Sequence, residues 1–216
     1  MGIIDKISTH LSTKLGDKLE KNKEEKAVLN YGLFIVIHTL MGIILTILTG
    51  IITGMTIEII IISITSAWFK RYTGGVHATT PERCLVIGLI LSLALSILCK
   101  YLVANININY ILILGTFIIM VFYYIINKKC PVPSKNKPLK KESTRKKLRK
   151  KARILINSYL ILLISLYVMY ILTNLNIIKT SIVSCILGIV LQIIALTEKG
   201  ASFINILDRS FNIFKN

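Results

Sequence analysis

Apolar residues come in six runs, at about residues 28–48, 55–69, 84–104, 110–126, 154–172 and 181–196. Each run is close to the length at which a helix crosses a bilayer, and a helix is the economical way to satisfy its backbone there. A soluble domain of 216 residues would not carry 54% hydrophobic residues in such blocks. The expected fold is therefore an all-α integral membrane protein with six transmembrane helices. The net charge of +17 has to sit between the runs. A basic chain can also bind nucleic acid. That class is set aside, because the charge clusters where membrane topology places it.

Lysine and arginine alternate between rich and poor segments. Six lysines precede the first run, and the link at 49–56 has none. The next loop holds Lys70, Arg71 and Arg83, and the link at 105–109 again has none. Thirteen basic residues lie between 127 and 153, Lys179 alone lies in the link at 173–180, and Lys199, Arg209 and Lys215 follow the last run. Cytoplasmic loops carry the excess of Lys and Arg. Both termini are thus expected in the cytoplasm, in a multi-pass plasma-membrane protein. No cleavable signal is expected in the first residues, which lack an uninterrupted apolar core. Met-Gly at the start does not make a myristoylation signal, since Lys6 stands where Ser or Thr is needed.

One membrane domain, residues 1–216, is expected. Residues 1–26 form an amphipathic segment, 27–126 hold four spans and the loop 70–84, 127–153 form a basic cytoplasmic loop, 154–198 hold two spans, and 199–216 form a tail. Ile3, Ile7, Leu11, Leu15 and Leu19 recur every four positions. That periodicity predicts a helix over 3–19, lying on the membrane surface or packed on the protein's own loops. The basic loop suits anionic lipid head groups. His38 and Gln192, mid-run, are expected to make interhelical hydrogen bonds. Glu58 is expected to reach the outer interface.

Reactive groups concentrate in Lys70 to Cys84, KRYTGGVHATTPERC. His77 and Cys84 are seven positions apart, about 10.5 Å of rise on a straight helix, so they meet only if the chain turns. Gly74 and Gly75 supply a helix stop. Thr79, Thr80 and Pro81 read as a helix start, and Thr79 with Glu82 has capping-box spacing. Cys84 then falls near the start of a helix, where the dipole, Arg83 and a nearby imidazole favour a thiolate. The reducing compartment implies a free thiol. Cys99 and Cys185 lie within apolar runs and read as packing. Cys130 is expected exposed in the basic loop, with no histidine near it in sequence. No metal-ligand spacing occurs, so no metal or cofactor is expected.

The pattern Arg71-x-x-Gly74-Gly75-x-His77-Ala78-x-Thr80, with Cys84 seven residues after the histidine, resembles the AgrB family of quorum-sensing peptide processors. Length, the six-run pattern and the basic loop agree, so the resemblance covers most of the chain. It implies a cysteine endopeptidase with a His77–Cys84 dyad, supported by Arg71 and Gly75. It further implies that an AgrD-like propeptide is cleaved through a thioester on Cys84 and cyclised to a thiolactone or lactone. The active site would lie at the cytoplasmic face. A second copy of the chain is a candidate partner. The competing reading is a small transporter or channel without covalent chemistry. Such proteins show paired intramembrane charges or broken helices in matching halves, and neither is evident here.

Overall fold

The computed structural model describes residues 2–133 and 141–213, with no side chain described for Ile3, Asn212 and Ile213. Lys135, Lys137, Lys140 and Lys215, counted above with the basic segments, lie outside the described residues. The described residues form eight α-helices: α1 (Ile3–Lys18), α2 (Lys23–Thr53), α3 (Thr56–Thr73), α4 (Pro81–Asn105), α5 (Ile108–Lys129), α6 (Glu142–Thr173), α7 (Asn176–Leu196) and α8 (Glu198–Ile213).

Five of them, α2, α4, α5, α6 and α7, are long and apolar enough to cross a membrane. The remaining expected span, α3, has 18 residues and carries Glu58, Lys70 and Arg71 near its ends. Isoleucine, leucine and valine side chains face outward along these helices, among them Ile52, Ile90, Ile113 and Ile164. An apolar surface this extensive is at home in lipid rather than water.

The apolar helix α7 is surrounded by α3, α4, α5, α6 and α8. Its residues Ile182 to Ile189 are all buried. A helix apolar on every side belongs in the centre, and α7 is that centre. Gly188 lets α3 approach closely, since a Cβ there would collide with Thr65. Small residues at such crossings are how membrane helices pack. Polar pairs tie α3 to its other neighbours: Tyr159 of α6 donates to the Thr65 hydroxyl at 3.2 Å, and Ser63 to Ser92 of α4 at 3.1 Å. Lysines close helix ends. Lys100 donates to the carbonyl of Gly54, the C-cap of α2, and Lys179 to that of Val103 in the last turn of α4.

Several expectations change. Glu58 is buried in the first turn of α3, because neighbouring helices cover it. The basic segment is not loop throughout: α5 continues to Lys129, and α6 begins at Glu142, so Arg145 to Arg153 ride on a helix. The tail is a helix too, and α8 packs on α4 and α7. In α1, the row Ile4, Ser8, Ser12, Gly16 turns inward and α2 is the helix it packs on, while Ile7, Leu11, Leu15 and Leu19 remain exposed. Small residues give the closer helix contact, which leaves the aliphatic row for another surface.

Candidate active site

Helix α3 ends where its sequence says it should. Gly74 is the C-cap at φ +71°, and Gly75 follows at φ +135°. Both values lie where L side chains are strained. Two neighbours hold this turn in place. From α7, the Gln192 side-chain amide donates to the Thr73 hydroxyl and to the Gly74 carbonyl, each at 2.8 Å. Also on α7, the Ala195 carbonyl accepts the Val76 N–H at 2.9 Å. A Cβ on Gly75 would stand 3.0 Å from that same carbonyl oxygen. From the segment after α5, the Val132 N–H donates to Thr73 at 2.9 Å, and Gly74 pairs with Val132 as an isolated parallel bridge. Gln192 thus makes the interhelical bonds expected of it.

Helix α4 then starts at Pro81. Thr80 is its N-cap and accepts the Arg83 N–H at 3.3 Å. The capping box expected from Thr79 and Glu82 does not form. Thr79 is bonded to Asp208 of α8, and the Glu82 carboxylate lies against Gly2 at the start of α1. His38 of α2, as expected, bonds between helices: its Nε2 is 3.2 Å from the Pro81 carbonyl oxygen. Three helices besides α3 and α4 therefore fix the turn that carries His77.

The outcome is that His77 and Cys84 meet. Cys84 Sγ is 4.0 Å from His77 Nδ1, within reach of a thiol–imidazole hydrogen bond after a small side-chain rotation. The imidazole is exposed and the thiol half-buried. The cation facing the sulfur is Lys70, whose Nζ is 3.8 Å from Sγ. Arg83 does not take that place, since it turns to Asp208. Arg71 is exposed in the last α3 turn, and it is its neighbour Lys70 that comes to 3.8 Å from the sulfur. Gly75 is buried at the α7 contact. An ammonium and an imidazole at a helix entrance are what stabilise a thiolate nucleophile.

Cys84 opens onto a cavity of about 60 Å³ lined by Ser66, Lys70, Gly88, Leu191 and Gln192 among others. A single water needs only about 10–15 Å³ on the same measure, so the space suits a small aliphatic side chain. The other thiols are separate. Cys99 is buried beside Ser184, and Cys185 is buried in the core. Cys130, expected in an exposed loop, is 0% exposed, because its turn folds under α6 and Arg149 Nε donates to its carbonyl at 2.7 Å. That burial pushes its thiol up to about 12, against the opposing pull of Arg149.

Lys70 and Asp208 are the site residues that the sequence argument left without a role. Lys70 had a signal, since it stands beside Arg71 at the end of the same apolar run. Asp208 had a weak one, as the sole carboxylate in residues 199–216.

Five apolar helices of membrane length, with a cysteine–histidine pair at a helix entrance, fit a multi-pass membrane protein. The family model described as Accessory gene regulator B matches residues 4–196, and the chain is a member of the AgrB family. It is 30% identical over 215 residues to an AgrB-like protein of Clostridium perfringens (strain SM101 / Type A), covering 99% of each chain. A second AgrB-like protein, from C. perfringens strain 13, is 28% identical over the same length and coverage. An AgrB-like protein of Listeria innocua is 29% identical over 138 residues, 64% of this chain and 65% of that one. No solved structure matches the chain. Membership points to the agr quorum-sensing system, in which the family acts in peptide processing and an AgrD-like propeptide is the general partner.

Proposed function

We propose that this protein is a membrane cysteine endopeptidase that cleaves an AgrD-like propeptide and closes the product into a ring. The observation that carries this reading is the meeting of Cys84, His77 and Lys70 at one helix entrance, over a small cavity. His77 takes the Cys84 proton. The thiolate attacks the scissile carbonyl, and Lys70 is close enough to offset the negative charge that develops. The C–N bond breaks, the leaving amine takes the proton from the His77 imidazolium, and the acyl group remains on Cys84 as a thioester. A cysteine or serine side chain of the bound peptide then gives its proton to His77 and attacks the same carbonyl. The Cys84 C–S bond breaks, the sulfur recovers a proton, and a thiolactone or lactone leaves. Thiol–thioester exchange is nearly isoenergetic, so ring closure needs water kept away. The apolar cavity walls support that exclusion.

In the accompanying topology, α3 is the sixth span, both termini are cytoplasmic, and the dyad lies at the cytoplasmic face. The motive is the alternation of basic segments. The basic first turns of α6 then rest on anionic lipid.

The test is chemical trapping. Incubation of purified protein with propeptide should give an adduct of acyl-peptide mass on Cys84 that hydroxylamine releases. Full cleavage by the Cys84→Ala protein would overturn the reading.

A further inference from the structure

Helix α8 lies beyond residue 196, where the match to the family model ends. It nevertheless reaches the turn between His77 and Cys84. Asp208 on α8 is only 4% exposed. A carboxylate so buried has to be paired and hydrogen-bonded. Among the described residues, its partners lie in that turn. One carboxylate oxygen accepts the Thr79 backbone N–H at 3.0 Å, and the other accepts the Thr79 hydroxyl at 3.1 Å. Arg83 Nη1 is 3.6 Å from the second oxygen, donates to the Asp208 carbonyl at 3.3 Å, and donates to the Thr79 hydroxyl at 3.2 Å.

The placement of these partners gives the contact its meaning. Thr79 is two residues after His77, and Arg83 immediately precedes Cys84. The arm carrying the imidazole and the arm carrying the thiol are joined through one side chain. The turn is held at Val76 by α7 and at Thr80 by the helix cap. Between those points, Asp208 is the acceptor that the Thr79 N–H finds. We propose that Asp208 is a positioning residue: from α8 it clamps the 77–84 turn and so holds His77 against Cys84, without touching substrate. This rests on the His77–Cys84 pair proposed above.

Alkylation of Cys84 tests the clamp without any propeptide. The full-length protein in detergent micelles is treated with iodoacetamide across pH 6 to 10, and Cys84 modification is followed by peptide mass. His77→Ala serves as the reference for a lost imidazole. Asp208→Ala should move the rate–pH profile toward that reference, with a drop of about tenfold in rate near neutral pH. Asp208→Asn keeps an acceptor for the Thr79 N–H and should lie between Asp208→Ala and the native protein. Thr79→Val should move the profile the same way by less, and it carries the test if Asp208→Ala does not fold. Native profiles for both Asp208→Asn and Thr79→Val would overturn the clamp. So would a native profile for Asp208→Ala whose gel-filtration peak is unchanged. If His77→Ala itself leaves the profile unmoved, the dyad reading falls and takes the clamp with it. If His77→Ala shifts the profile and the Asp208 and Thr79 variants do not, the clamp alone falls.

Discussion

Two turns lie side by side in this molecule, joined by the bridge between Gly74 and Val132. Each carries a cysteine at a helix end, a proline close by and a basic side chain within reach. Their surroundings are opposite. Cys84 sits in the first turn of α4, half-buried, with imidazole and ammonium facing its sulfur. Cys130 caps the far end of α5, fully buried, and Arg149 binds its backbone carbonyl rather than its sulfur. A helix N-terminus favours an anion and a C-terminus opposes one. The difference teaches that a thiol's environment is set by the helix end and by what faces the sulfur. A charged loop around a cysteine is not enough.

The sharpest way to break the contrast is to remove one thiol at a time. Cys84→Ala and His77→Ala should each lower propeptide cleavage by at least about a thousandfold, and the double variant should lose little more, as for groups that act as a unit. Cleavage is measured in vesicles at matched protein levels. Cys84→Ser should also fall to near background, because an imidazole alone activates a hydroxyl poorly. Additive losses in the double variant would mean that the two residues do not cooperate.

Alkylation reads the same contrast directly. With its thiol pushed up to about 12, Cys130 is protonated at pH 8. Native protein should therefore take iodoacetamide on Cys84 about a hundredfold faster than on Cys130. Cys130 should become reactive only once detergent unfolding exposes it. Equal labelling in the native state would put both turns in the same environment.

The glycine pair separates the turns by backbone. Gly75→Ala places a Cβ at φ +135°, 3.0 Å from the Ala195 carbonyl oxygen. Strain of about 1–3 kcal/mol at such positions should displace His77 and lower cleavage by about tenfold to a hundredfold. The control is Gly54→Ala, also at positive φ but with open space around it and far from the dyad in sequence. It should leave kcat near native. Matched losses from both would point to general destabilisation.

Much of this was legible in the sequence for physical reasons. The apolar runs had to be helices, because lipid offers the backbone no partners. The Gly74-Gly75 stop and the Thr80-Pro81 start had to turn the chain between His77 and Cys84. What stayed hidden depended on side-chain direction and on distant packing. Lys70 and Arg71 are adjacent, yet only Lys70 projects toward the sulfur, because successive helical residues point about 100° apart. Arg83 looked like the thiolate's cation until Asp208, 125 residues further on, claimed it. Thr79 lost its capping role to the same carboxylate. Cys130 looked exposed because composition reports a basic segment and cannot report which of its residues fold under α6.

The smallest expected effect concerns the turn that carries Cys130. Cys130→Ala removes one buried sulfur from the core cluster. The loss is about the size of a buried methylene, roughly 1 kcal/mol of stability. The apparent melting temperature in detergent should fall by a few degrees, while kcat for cleavage stays within about twofold of native. The two turns are nevertheless in contact, so the insensitivity must have a limit. The Val132 N–H donates to Thr73, just before Gly74. Val132→Pro deletes that donor and leaves the Thr73 carbonyl without its partner. Such a hydrogen bond contributes about 1 kcal/mol net, so cleavage should drop a few-fold in Val132→Pro although Cys130 is untouched. The opposite ranking, with Cys130→Ala costing more activity than Val132→Pro, would mean that the thiol itself, and not the backbone pairing, couples the second turn to the first.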